Sequence, residues 1–444
     1  MLTAKLNELL TRVGPGTPMG KVFRRFWLPA VLSDELVADA APVRLRILCE
    51  DLVAFRDSQG KVGIIEAYCS HRLAPLFFGR NEECGLRCPY HGWKFDVDGK
   101  CVDMPNVPNG DSERVRERVS LRAYATREAG GIVWIYMGPK ELMPVLPKLE
   151  WMHLPPEQRH VSRWIQRTNY CAGMEGEIDS THISFLHKDF DHSKSLLSGT
   201  GTELADDGAA KLTLRETDYG FMYGAMRNAV GTKFWRMTHW LAPMFSLVAL
   251  TPGAYVGAGG RAWVPIDDDH TTSFSYWFRV DRPLGPEYEI LESGAVFPPR
   301  MKPGRFQLPD GTVIDTFLPE ANQQNDFLID RKMQKEVNFS GIWGANEQDR
   351  ALQEFMPSIG AEHPGIVDRS REHLMASDVA VVTARNILIR MAQDIERGIE
   401  PTYPQQAAAC AVRAITKLTE IDDFDKFVEA YREEIQAPDY QATT

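Results

Sequence analysis

The sequence has no apolar run near the ~20 residues that a membrane-crossing helix needs. Its first residues, MLTAKLNELLTRVGPG, lack the apolar core of a secretory signal. Neither a membrane span nor export is expected, and the cytoplasm is the expected compartment. Positive charge is not in excess: the formal net charge is −11, which argues against nucleic acid or an anionic membrane surface as a partner. Cysteine is sparse. Of seven, Cys49, Cys84, Cys101, Cys171 and Cys410 are scattered, so a secreted disulfide framework is excluded. Nucleotide loops are missing too. Gly14 to Lys21 places five residues rather than four before Gly20-Lys21, and Val22 stands where a hydroxyl is required. Gly257-Ala258-Gly259-Gly260 lacks the dinucleotide spacing and no helix is expected after it. There is no internal repeat. What remains is an ordinary globular composition, 43% hydrophobic and 25% charged, in a chain long enough for two or three cores.

The most informative stretch is Tyr68 to Phe95. Cys69 and His71 form C-x-H, Cys88 and His91 form C-x-x-H, and sixteen residues separate the pairs. Two thiolates and two imidazoles in tight loops can hold one zinc ion or one iron–sulfur cluster. Zinc knuckles usually pair Cys with Cys and His with His, whereas each loop here is mixed. Pro89, Gly92 and Trp93 have no zinc-site rationale.

C-S-H-R-L followed by C-P-Y-H-G-W resembles the Rieske [2Fe–2S] signature. The resemblance implies that Cys69 and Cys88 ligate one iron, and His71 and His91 the other. Respiratory Rieske proteins add a Cys to each loop and join the two as a disulfide. Ala74 and Tyr90 stand at those positions here, the pattern of the oxygenase-type domain.

Taken in order, residues 2–13 read as a short amphipathic helix. Residues 43–57 and 61–68 alternate around Asp57-Ser58-Gln59-Gly60, a hairpin. Asp96-Val97-Asp98-Gly99 is a second hairpin turn, and residues 131–136 form a strand. The expected fold is α+β: a small all-β domain over 41–140, then a larger α+β domain over 160–444. Residues 1–40 are expected to pack on the larger domain, and the proline-rich 141–159 to form a linker. In the larger domain, 175–186 reads as helix and 211–281 as strands, with turns at Pro252-Gly253 and Asp267-Asp268-Asp269. The Pro- and Gly-rich 284–345 reads as an irregular insertion. Helices are expected over 346–355, 377–397 and 410–435, covering an antiparallel sheet in a helix-grip arrangement.

The larger domain opens with Asp179-x-x-His182-x-x-x-x-His187. Two His and a carboxylate on one face of Fe(II), with open positions opposite, suit O₂ chemistry. Asp179 and His182 share a helix face. His182 and His187 do not, unless an i→i+5 turn distorts the helix, so a π-bulge is expected. Two ordinary helical histidines are the alternative.

With the cluster motif upstream, this pattern resembles the catalytic subunit of Rieske non-haem iron oxygenases, most of all the phthalate-dioxygenase group. The resemblance implies a mononuclear Fe(II) held by His182, His187 and a distant Asp. Asp349 is the best match, Asp326 and Asp330 are rivals, and Asn346 as a helix cap with Asp349 at its third position is the metal-free alternative. It implies that Asp179 links the two metal sites by accepting from His91 of a neighbouring chain, in a homotrimer or stacked trimers. It also implies electrons from a separate NAD(P)H-dependent reductase or a ferredoxin, and mono- or cis-dihydroxylation of an aromatic substrate. Tyr219, Phe221, Tyr223 and Arg227 share one predicted strand face, and Arg236 lies on the next strand. Aromatic walls with Arg suit a phthalate-like or phenoxybenzoate-like acid; two ordinary salt-bridged arginines are the alternative. O-demethylation, steroid hydroxylation, and a Rieske electron carrier with a non-catalytic binding domain stay open at this level.

Overall fold

The computed structural model describes residues 2–108, 112–191, 207–249, 257–285, 287–438 and 440. Two β systems organise it. In the smaller, β2 (Val43–Ile47), β3 (Glu50–Arg56) and β4 (Val62–Glu66) form one antiparallel sheet. The strands β5 (Arg80–Glu82), β6 (Gly85–Arg87), β7 (Lys94–Phe95) and β8 (Cys101–Asp103) form another. The hairpin turn at 57–60 forms, with Asp57 N–H donating to Lys61 O, as does the turn at 96–99. A third sheet orders β1 (Trp27–Leu32), β10 (Ile132–Tyr136) and β9 (Ala125–Ala129). The N-terminal segment is therefore divided. Its helices α1 (Ala4–Thr11) and α2 (Pro18–Phe23) pack against a late helix, α6 (Val379–Glu396). β1, every residue of which is buried, joins β10 instead.

The larger sheet runs β11 (Arg159–Gln166), β17 (Thr271–Arg279), β16 (Gly257–Pro265), β15 (Phe245–Ala249), β14 (Thr232–Leu241), β13 (Gly220–Ala229), β12 (Lys211–Thr217), all antiparallel. An eighth strand, β20 (Thr416–Thr419), pairs with the first half of β14. The helix expected over 410–435 is thus replaced by this strand and two short helices, α7 (Phe424–Ala430) and α8 (Arg432–Ile435). Apolar residues three apart there mimic a helix, but Ile415 and Ile421 flank the strand and seal Met222, Trp235 and Met237 on the sheet's outer face. Tertiary pairing overrides the local pattern.

On the opposite face lie α3 (Tyr170–Ile178), α4 (Ile183–Leu186) and α5 (Ala345–Gln353). Two glycines let α3 come close. A Cβ at Gly173 would sit 2.3 Å from Trp263 Nε1 on β16, and one at Gly176 would sit 2.2 Å from Gln353 Nε2 on α5. Insertion 284–345 is more regular than expected. It carries a hairpin of β18 (Met301–Gln307) and β19 (Val313–Pro319), turned at Pro309-Asp310-Gly311. That hairpin reaches the smaller β system through Arg44–Asp315 (2.7 Å) and Arg46–Asp310 (2.7 Å). The proline-rich segment is packed rather than free, with Trp151 stacked on Tyr276 at 4.8 Å. The Pro252-Gly253 turn lies outside the described residues.

Candidate metal centres and substrate cleft

The two Cys/His loops have the same backbone. Cys69 N–H donates to Ala74 O and Leu73 N–H to Cys69 O; Cys88 N–H donates to Trp93 O and Gly92 N–H to Cys88 O. In each, the fourth residue after the Cys is left-handed, Leu73 at φ 56° and Gly92 at φ 79°. Both thiols are buried in the small core, and burial raises that of Cys69 to about 11. The imidazoles of His71 and His91 lie 4.4 Å apart, centroid to centroid. His71 stacks on Trp93, and its Nδ1 is buried without a hydrogen-bond partner among the described residues. Two thiols, two imidazoles and an orphaned ring nitrogen fit a mixed-ligand cluster.

The second centre forms where α3 ends. Asp179 N–H still donates to Glu175 O and Gly176 O, but Asp179 has left helical geometry (φ −84°, ψ 109°). Its Oδ1 accepts from Thr181 N–H (2.7 Å) and Thr181 Oγ1 (2.6 Å). A local side-chain turn competes with helix propagation, so the chain breaks and restarts as α4, with no π-bulge. His182 and His187 cap the two ends of α4, and their rings meet with the two Nε2 atoms 3.1 Å apart.

Asp349 arrives from α5. Its Oδ1 lies 3.2 Å from His187 Nε2 and 3.5 Å from His182 Nε2. Ligands ~2.1 Å from a metal and at right angles are ~3 Å apart, so these three donors have the separations of a facial triad. The metal-free capping alternative does not hold, because Gly344 is the N-cap of α5 and Asn346 is buried within the helix. Asp330 caps another helix and Asp326 sits in a kink; both are exposed. His187 Nδ1 lies 2.6 Å from Gln348 Oε1, and His182 Nδ1 lies 3.4 Å from Asp179 Oδ2. Each partner orients a ring so that Nε2 faces the centre. Burial opposes charge on His182, but Asp179 and Asp349 outweigh it and raise the imidazole to about 10. Burial likewise opposes ionisation of both carboxylates. His187 and His182 nevertheless hold Asp349 well below the usual range, and His182 with Thr181 holds Asp179 at about 2.

A cleft opens over this centre, lined by Ile183, Arg236, Val248, Ala249, Val296 and Phe297 among others. Strand register sets Ala225 opposite Arg236 and Tyr223 opposite Thr238. Phe221 and Tyr223 share that face but are fully buried and do not line the cleft. Tyr219 leaves it altogether, its hydroxyl reaching His239 Nδ1 at 2.7 Å. The cleft's aromatic wall is Phe297, from the insertion. Arg227 also turns away. Its Nη2 donates to Ser180 O (2.6 Å) and its Nε to Asp207 O (3.0 Å), steadying the break after α3. Burial, and then the charge of Arg236, lower Arg227 to about 10. Arg236 is buried, and its Nη1 has no partner among the described residues.

Three polar residues escaped the sequence reading. Gln348 precedes Asp349. Glu177 is a buried carboxylate on α3, two residues after Glu175. Arg261 follows Gly259-Gly260 on β16 and binds both Glu177 and Asp349. Gln348 lies in a polar run, Asn346 to Arg350, that is wholly buried; the density of polar groups in that run is the signal for Gln348, and nothing comparable marks Glu177 or Arg261.

The family model described as Rieske [2Fe-2S] domain matches residues 26–124, and that described as LigXa C-terminal domain like matches 135–433. The chain is 37% identical to the 3-chlorobenzoate-3,4-dioxygenase oxygenase subunit of Comamonas testosteroni, over 88% of each chain. It is 37% identical to the phthalate 4,5-dioxygenase oxygenase subunit of Pseudomonas putida, over 88% of this chain and 86% of that one. In structure it resembles dicamba monooxygenase bound to dicamba, with TM-score 0.57 and 17% identity, over 84% of this chain and 98% of that one.

Proposed function

The chain belongs to the Rieske non-haem iron oxygenases, as an oxygenase subunit, and from that premise we propose that it hydroxylates an aromatic carboxylic acid. Cys69, His71, Cys88 and His91 would hold the [2Fe–2S] cluster, and His182, His187 and Asp349 the mononuclear Fe(II). When bound, the cluster supplies single electrons and the ferrous ion supplies O₂ activation. The chain's own residues do the rest. Gln348 and Asp179 hold the two imidazoles by Nδ1. Phe297, Val248 and Val296 make an apolar wall that excludes water and seats a ring over the ligands. Monohydroxylation takes one oxygen atom of O₂ and releases the other as water; cis-dihydroxylation takes both. Either consumes two electrons and two protons. The electrons come from a separate reductase or ferredoxin, with NAD(P)H as ultimate donor.

Arg236 carries the substrate reading. A buried guanidinium without an ion pair is costly, and a carboxylate is its best-matched planar acceptor. Among the described residues no acidic side chain is within ion-pairing distance of Arg236, which lines the cleft. The phthalate and chlorobenzoate named for its relatives are aromatic acids. The convergence of His182, His187 and Asp349 favours an oxygenase over an electron carrier, which needs no second ligand set. The test is Arg236→Ala with an acid substrate and its methyl ester. KM for the acid should rise far more than KM for the ester. Equal effects remove the anchor, and with it the preference for acids over aryl ethers or steroids.

We further infer a C₃ ring in which His91 of one protomer donates to Asp179 of the next. Asp179 keeps a quarter of its side chain exposed, and His91 sits beside the exposed Tyr90, so both ends of such a contact are accessible.

A further inference from the structure

Arg261 stands behind the second centre, 5% exposed, on β16. Its Nε donates to Glu177 Oε2 at 2.7 Å, and Nη2 reaches the same oxygen. Nη1 donates to Asn346 Oδ1 at 2.7 Å, and Nη2 to Asp349 Oδ2 at 3.1 Å. Its guanidinium carbon lies 5.3 Å from the Trp263 ring centroid and 5.4 Å from that of Phe297. The fork is fixed by stacking and nearly saturated, so it has little capacity left for a substrate carboxylate.

The two oxygens of Asp349 are thereby divided. Oδ1 faces His182 and His187; Oδ2 faces Arg261. A carboxylate that swung both oxygens toward a metal would have to break a buried, charge-assisted hydrogen bond. We propose that Arg261 is a positioning residue that restricts Asp349 to one-oxygen ligation and so keeps a further coordination position open to solvent or O₂. This rests on the ligand reading above, in which Asp349 is the third donor. Glu177 fixes Arg261 in turn and balances its charge, with Ser246 Oγ donating to Glu177 Oε1 at 3.2 Å.

The test loads the mononuclear site of the otherwise intact enzyme with Mn(II) and counts exchangeable water ligands, from the broadening of the Mn(II) electron-paramagnetic lines in ¹⁷O-enriched water. Removing Arg261 alone would strand Glu177, so the variant is Arg261→Met with Glu177→Leu, an apolar replacement of the whole buried pair. Wild type should bind one Mn(II) per chain at this site, and His187→Ala none. The double variant should still bind Mn(II) but hold one water fewer, because Oδ2 closes onto the metal. An unchanged water count, or a site that no longer binds, means that Arg261 only supports the fold and overturns the proposal. A crystal structure of Mn(II)-loaded wild type decides independently of any variant: Oδ2 on Arg261 supports the proposal, and Oδ2 bonded to the metal ends it. Wild type that binds no Mn(II), or binds it equally in His187→Ala, defeats the ligand reading itself.

Discussion

Asp179 and Asp349 both lie within 3.5 Å of a His182 ring nitrogen, yet at different atoms, Nδ1 for Asp179 and Nε2 for Asp349. That difference assigns them different work. Asp349 is on the donor side with His187, so His182→Ala, His187→Ala and Asp349→Ala should each lose the mononuclear iron while keeping the cluster. Iron per chain should fall from three to two. Asp179 is on the far side of the ring and partly exposed. Asp179→Asn should keep all three irons, because Asn is nearly isosteric. Reoxidation of the pre-reduced cluster by O₂ with substrate present should slow by orders of magnitude, since an amide is a poor substitute for the charged acceptor of an imidazole N–H. Rapid-mixing spectroscopy with parallel metal analysis checks both halves. Iron loss in Asp179→Asn equal to that in the ligand variants would place Asp179 among the ligands.

At the scale of elements, the site depends on α3. It ends in a break, and its register depends on Glu175, which Arg369 and Arg385 clamp at 2.9 and 2.7 Å. Burial opposes ionisation of Glu175, but the two arginines prevail and lower its pKa from 4.5 to about 2. A carboxylate depressed in the folded state stabilises above its unfolded pKa, and that stabilisation is lost as pH falls from near 4.5 toward 2. The depression corresponds to on the order of 3 kcal/mol. Glu175→Gln should lower stability at neutral pH by several kcal/mol, leaving buried Arg369 without an acidic partner among the described residues and Arg385 with Glu372 alone. It should also flatten the decline in melting temperature between pH 5 and 3, measured by scanning calorimetry. Local elements such as these were only partly legible in the sequence. The cluster loops were, because all four of Cys69, His71, Cys88 and His91 lie within one short stretch whose turns are local. The pair His182 and His187 was, but the break ahead of them was not, since an Asx-type turn at Asp179 looks like one more helical residue. Arg261 was not legible at all. Its meaning comes from β16 lying under both α3 and α5, and no spacing along the chain encodes that.

At the scale of the whole molecule, electron delivery and assembly are one question. A ring joined through His91 and Asp179 predicts a trimer, or a stacked pair of trimers, by light scattering at working concentration. Dilution or salt that yields monomers should abolish turnover while both metal centres stay loaded; a fully active monomer would refute the ring. The chain is also knitted end to end. Leu2 N–H donates to Arg369 O, α1 and α2 lie on α6, and β20 pairs with β14. In that last pairing Thr416 stands directly opposite Arg236, the residue proposed to hold the substrate. This part of the sheet thus waits for a strand made about 180 residues later. During synthesis the first half of β14 has an open edge until residue 419 has left the ribosome, long after β11 to β17 are available. Such late, long-range closure makes folding slow and exposes an unpaired strand meanwhile. A chain stopped before Thr416 should accumulate as aggregate with chaperones rather than as a weaker enzyme.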